Sequence, residues 1–126
     1  MNLNRVHHVA IIGSDYEKSK HFYVDLLGFQ VIRETYRAER RDHKIDLQLD
    51  DLELELFIAA DRPARPNYPE AYGLRHLAFR VDSVGENVEE LGQRGIVCEP
   101  IRVDELTDKP MTFFFDPDGL PLELHE

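Results

Sequence analysis

The sequence predicts an α+β fold assembled from two βαβββ modules. Two stretches share one pattern around a histidine, two more share one pattern around a glutamate, and a single spacing joins each pair. Val6-His7-His8-Val9-Ala10-Ile11 and Leu74-Arg75-His76-Leu77-Ala78-Phe79 both read apolar, polar, His, apolar, Ala, apolar, and lie 68 positions apart. Leu52-Glu53-Leu54-Glu55-Leu56 returns, again 68 positions on, as Leu120-Pro121-Leu122-Glu123-Leu124. Asp15 and Ser83, both residue types that cap helix N-termini, keep the same offset. Self-similarity at one fixed offset marks a repeated structural unit. Module one is expected at about 1–60, a Pro-rich linker at about 61–72 (DRPARPNYPEAY) and module two at about 73–126.

Each element follows from local chemistry. Residues 5–13 alternate and carry β-branched side chains, which predicts a strand. Ser14 or Asp15 then caps a helix in which Phe22, Leu26 and Leu27 recur with Tyr16, Ser19 and Tyr23 near helical spacing. Gly28 is placed to end it in the left-handed conformation that glycine adopts without steric cost. Strands are expected at about 29–38, 44–50 and 52–59, with Asp50-Asp51 as a tight turn. In the second module a strand is expected at 74–81 and a helix from Ser83 to about Arg94, stopped by Gly95. Strands at about 96–103, 111–115 and 120–125 complete it. Asp116-Pro117-Asp118-Gly119 between the last two is a strong turn sequence, with Pro and Gly where a turn uses them.

Bulk properties narrow the function. The chain has 126 residues, enough for one domain with a real core. Twenty-five acidic against fifteen basic residues leave a net charge of −10. That balance argues against nucleic acid, whose binders need a basic face, and against anionic membrane surfaces. The single cysteine, Cys98, excludes an internal disulfide and a Cys-rich zinc site. The apolar run Val9-Ala10-Ile11-Ile12 is too short for a signal-peptide core or a membrane span. A cytoplasmic location is the expectation.

Side chains alternate across a strand. His8 and Ala10 therefore share the face opposite Val9 and Ile11, and His76 and Ala78 share the face opposite Leu77 and Phe79. Glu55 opposes the apolar row Leu52, Leu54, Leu56 and Ile58, and Glu123 opposes Leu120, Leu122 and Leu124. All four ionisable residues are thus expected on the side of the sheet away from the helices. In each copy the His and the Glu stand 47 residues apart. Two imidazoles and two carboxylates converging on one face make a divalent-metal site, with Ni, Zn, Co, Fe or Mn as suitable ions. His7 competes with His8, since a one-residue shift in register would exchange them. His7, His21, His43 and His125 have no such pairing and read as surface or loop residues.

These residues resemble the vicinal oxygen chelate superfamily, which includes glyoxalase I, bleomycin-resistance and fosfomycin-resistance proteins and extradiol dioxygenases. The resemblance covers nearly the whole chain. It rests on His8-Val9-Ala10-Ile11, Ser19 to Gly28 (SKHFYVDLLG), Gly73 to Phe79 (GLRHLAF) and Asp116 to Leu124 (DPDGLPLEL). Tyr36 to Arg41 (YRAERR) and the linker look like the YaeR-like, glyoxalase-related branch. The resemblance implies an open, eight-stranded, barrel-like sheet with helices outside, and a homodimer, often with sites shared between subunits. It implies one divalent metal per site, held at positions that fall on His8, Glu55, His76 and Glu123. It further implies lactoylglutathione-lyase-type isomerisation of a small hemithioacetal, with Glu123 or Glu55 carrying the proton. Glutathione-using members tend to have Arg four residues after the first His, where this chain has Ile12, so the thiol is left open. Arg37 and Arg41 are the residues expected to contact a substrate anion. Two rivals remain: another chemistry of the superfamily, such as thiol transfer or dioxygenation, and a non-catalytic small-molecule binder.

Overall fold

The computed structural model describes residues 1–126, which form two compact units, Met1–Pro63 and Ala64–Glu126. The first unit runs β1 (His8–Gly13), α1 (Tyr16–Lys20), a π-helical segment (His21–Leu26), β2 (Gln30–Arg37), β3 (Asp42–Leu49) and β4 (Leu52–Ile58). Its sheet has the order β1-β4-β3-β2, with β1 parallel to β4 and the other neighbours antiparallel. The second unit runs β5 (Leu77–Arg80), α2 (Val84–Gln93), β6 (Arg102–Asp104), β7 (Lys109–Phe115) and β8 (Pro121–His125). Its order, β5-β8-β7-β6, repeats the first with the same parallel pairing of first and last strands. The expected α+β class is thus realised as two four-stranded mixed sheets, each with a helical crossover after its first strand.

Both helices start where the sequence places a cap. Asp15 accepts a hydrogen bond from the Lys18 amide at 2.9 Å, and Ser83 Oγ accepts from the Glu86 amide at 3.2 Å. Glu126 Oε1 also accepts from the Val84 amide, a second cap for α2 that local sequence gave no sign of. Gly28 and Gly95 follow the helices at φ +86 and +83. The first helix departs from a uniform α-helix: the Leu27 amide donates to the Phe22 carbonyl, five residues back. Phe22 and Tyr23, adjacent residues of this wider turn, are both buried.

The apolar rows are buried as the alternation predicts. Ile45 and Leu47 of β3, Leu54 and Leu56 of β4, and Leu122 of β8 have no exposed surface. Leu124, Phe114, Val84 and Leu91 join the buried set of the second unit. Three strands are shorter than expected. β1 starts at His8 rather than residue 5, and β5 at Leu77 rather than 74, which leaves His76 just before its strand. The stretch at 96–103 pairs only at Arg102–Asp104. Pro100 has no amide proton to offer a ladder, and only the Glu99 amide upstream reaches β7, donating to the Phe113 carbonyl. The 116–119 turn forms: the Gly119 amide donates to the Asp116 carbonyl, and Asp116 Oδ1 accepts from the Asp118 and Leu120 amides.

Candidate functional site

In the first unit, parallel pairing sets Ala10 beside Glu55 and His8 beside Glu53, so these residues share one face of the sheet. Antiparallel pairing adds Asp46 beside Glu55 and Lys44 beside Phe57. Arg33, Thr35 and Arg37 continue that face on β2. His8 Nε2 lies 3.5 Å from Glu55 Oε2, and Lys44 Nζ donates to Glu55 Oε1 at 2.9 Å. Asp46, only 2% exposed, meets Arg33 Nε through Oδ2 at 2.7 Å. No well-aligned hydrogen bond reaches its Oδ1, so the Lys44 ammonium at 3.2 Å is what compensates that oxygen. The hydrogen bond to Glu55, with help from Asp46, holds the Lys44 ammonium above its ordinary pKa against partial burial.

Arg37 also belongs to this face. Its guanidinium makes a two-pronged contact with Asp42 at 2.7 and 2.6 Å and stacks 4.7 Å over the Phe57 ring. That pairing raises the Arg37 pKa and lowers that of Asp42. Arg41 is placed differently: it lies exposed in the turn between β2 and β3, at φ +53. His7 meets His8 through Nδ1 to Nδ1 at 2.9 Å, one ring donating and the other accepting.

In the second unit, β5 and β8 pair with Ala78 beside Glu123, and β7 sets Phe113 on the other side of Glu123. His76 Nε2 lies 2.8 Å from Glu123 Oε2, and its ring stands edge-on to Phe113 at 5.1 Å. Glu123 is 7% exposed. The approach to His76 is tied down from the linker. Arg65 donates to the Leu74 and Arg75 carbonyls and to Asn67 Oδ1, and Asn67 donates to the Gly119 carbonyl in the turn before β8.

Of the four histidines read as surface or loop residues, His7, His21 and His43 are exposed and His125 is half-buried. His21 pairs with Asp25 on the π-helical segment at 2.8 Å. His43, on β3, stacks with Tyr16 and Tyr36. His125 is a half-buried β8 residue that donates from Nδ1 to the Glu126 main-chain oxygen at 2.7 Å and faces Asp104 from Nε2 at 3.2 Å. Those contacts raise its pKa, while the Leu106 amide and then His125 lower that of Asp104.

The donor set fits a borderline divalent ion: each unit presents one imidazole nitrogen and one carboxylate oxygen of a largely buried glutamate on a common face. In neither unit do three or more His, Cys, Asp or Glu side chains gather at metal-holding spacing; the arrangement is one pair per repeat. Lys44 and Asp46 escaped the sequence reading, although their signal was present. They alternate with the buried Ile45 and Leu47, which puts them on the face of Glu55.

Comparison with known proteins gives a consistent result. The family model described as Glyoxalase/Bleomycin resistance protein/Dioxygenase superfamily matches residues 5–124. The chain is 61% identical to the uncharacterized protein YwkD of Bacillus subtilis (strain 168), across all of this chain and 99% of that one. It is 52% identical to the uncharacterized protein YaeR of Escherichia coli (strain K12), across 100% and 98%. A crystal structure of a glyoxalase family protein from Enterococcus faecalis superposes with a TM-score of 0.97 at 58% identity over the whole of both chains. More distant relatives include human mitochondrial methylmalonyl-CoA epimerase, 29% identical over 99% of this chain and 75% of that one. Glyoxalase I of Leishmania major is 25% identical, covering 98% of this chain and 86% of that one, with a TM-score of 0.73. On the family match and these full-length relatives, the chain belongs to the glyoxalase/bleomycin resistance protein/dioxygenase superfamily.

Proposed function

We propose that the protein is a divalent-metal-dependent enzyme that moves a proton on a carbon next to a carbonyl, most specifically a glyoxalase-type isomerase of a small hemithioacetal. The observation that carries this reading is the repeated pair: His8 with Glu55 and His76 with Glu123, each imidazole Nε2 facing a carboxylate Oε2. His8, Glu55, His76 and Glu123 would hold one ion, one of Ni, Zn, Co, Fe or Mn. Held by these residues, such an ion would supply Lewis acidity toward a substrate carbonyl. A carboxylate of the set, Glu123 or Glu55, takes the proton from one carbon and returns it to the next. General-base transfer of this kind contributes about 10²–10⁴-fold. Arg37 on the Glu55 face, and Arg41 in the adjoining turn, are proposed to meet an anionic group of the substrate.

The experiment is metal analysis of the purified protein followed by hemithioacetal isomerase assays with several thiols, glutathione among them. Bound stoichiometric metal, lost in His8→Ala and His76→Ala, and isomerisation with one of the thiols are the expected results. Full metal occupancy with no isomerisation of any hemithioacetal would remove the glyoxalase activity. Mixing His8→Ala with His76→Ala chains shows whether the ligands come from one subunit or two, because shared sites in a homodimer would regain metal on mixing.

The relatives named methylmalonyl-CoA epimerase favour a second reading, epimerisation of an acyl thioester. It needs the same proton abstraction next to a carbonyl, but return of the proton to the same carbon. Deuterium uptake at that carbon of a chiral acyl thioester, in D2O, separates it from the first.

A further inference from the structure

We propose that Lys44 is a positioning residue that makes Glu55 a weaker metal donor than Glu123, so that the two repeated His–Glu pairs are chemically unequal. The inference rests on the metal reading above. Its first support is direct: Lys44 Nζ already occupies Glu55 Oε1 at 2.9 Å, leaving Oε2 to face His8. A carboxylate that donates electron density to an ammonium has less to offer a second cation. An ammonium one contact away also repels a dication, and two charges that close interact strongly in a partly buried site.

The second support is that Lys44 is held in place. The buried Asp46 carboxylate sits 3.2 Å from it, and Oδ1 of that carboxylate has no other compensation. Swinging the ammonium out to water would strand that oxygen, a penalty of the kind buried unsatisfied groups carry. Phe57, 5.7 Å from Nζ, flanks it on β4.

The third support is the contrast between repeats. The residue paired with Glu55 across the sheet is Asp46, with Lys44 two positions before it. The residue paired with Glu123 is Phe113, with Met111 two positions before it. The duplication therefore kept both ligands while the flanking positions are ionic in one unit and apolar in the other. Only the first glutamate has an ammonium built against it from the neighbouring strand.

The test is Co²⁺ affinity of the whole protein, read by dye competition and by the visible spectrum of the bound ion. Variants are Glu55→Gln, Glu123→Gln, Lys44→Met, Lys44→Arg and the Lys44→Met/Glu55→Gln pair. Glu123→Gln is expected to weaken binding about tenfold more than Glu55→Gln, and Lys44→Met to tighten it about tenfold, within the range that residues behind metal ligands command. Lys44→Arg, which keeps the charge, stays near wild type. In the Lys44→Met background, removing the Glu55 carboxylate becomes as damaging as removing that of Glu123. Lys44→Gln serves in its place should the methionine variant fail to fold. Equal losses for the two glutamine variants, with no effect of Lys44→Met, overturn the inference while leaving the metal site standing. A wild-type protein that takes up no Co²⁺ overturns the metal reading and this inference with it.

Discussion

Glu123 and Glu55 differ in how much water surrounds them, and the difference sets what their histidines are worth. The Glu123 side chain is 9% exposed and its histidine is 2.8 Å away; the pair at Glu55 is 3.5 Å apart with His8 40% exposed. Removing the partner of a buried charge costs about 1–3 kcal/mol, whereas an exposed pair is worth about 0–1 kcal/mol. His76→Ala should therefore destabilise the metal-free protein by about 1–3 kcal/mol in urea unfolding, and His8→Ala by under about 1 kcal/mol. His125 makes a second residue-scale prediction. Its raised pKa means that its contribution to stability is complete below its unfolded pKa and fades as pH rises through the folded value. Asp104, with a lowered pKa, contributes above its unfolded value and loses that as pH falls through the folded one. Asp104→Asn should thus lower the melting temperature at pH 6 and lower it less at pH 9. The four residues of the repeated His–Glu pairs were legible in the sequence because the same pattern occurs twice. The link between His125 and Asp104 was not, since the two are 21 residues apart and only β-sheet pairing brings them together.

At the scale of elements, caps and stops were the clearest signals, because one side chain decides each of them. Asp15→Ala removes the side-chain cap on α1 and should cost about 1 kcal/mol. Ser83→Ala should cost less than Asp15→Ala, because the Glu126 carboxylate still caps the Val84 amide. Chemical denaturation of the two variants checks the ranking. Gly119 holds φ +84 in the turn that delivers β8, and Gly119→Ala should cost about 1 kcal/mol from backbone strain alone, since its Cβ would meet nothing closer than 3.6 Å. Periodicity located the first helix but not its π-helical half. Its five-residue closure, from the Leu27 amide to the Phe22 carbonyl, has no signature in an apolar spacing that an α-helix satisfies equally well. The short β6 has a local cause, in the missing amide of Pro100.

For the molecule as a whole, binding of the proposed ion would be linked to the stability of the fold. A ligand that binds only the native state stabilises it by about 2.7 kcal/mol at one hundred times its dissociation constant. Saturating Co²⁺ should raise the melting temperature of the wild type, excess chelator should reverse the rise, and the His8→Ala and Glu123→Gln variants should respond much less. A rise of the same size in all three proteins would place the stabilising ion elsewhere. The repeat itself was readable at this scale because one offset joined three separated segments, and both sheets adopt the same strand order. The polar face of β3 was written in the alternation of Lys44 and Asp46 with Ile45 and Leu47, but which of them stands beside Glu55 depends on the register between β3 and β4.

Each histidine of the repeated pairs belongs to the rim of its sheet, while each glutamate sits on an interior ribbon. β1 borders only β4, and the chain at His76 enters β5, which borders only β8. Outer ribbons open at lower free energy than ribbons hydrogen-bonded on both sides. Deuterium should therefore enter the backbone of β1 and β5 ahead of β4 and β8. Breathing of the fold then loosens the imidazoles first and keeps the carboxylates anchored, so that fraying sets the order in which the pairs come apart.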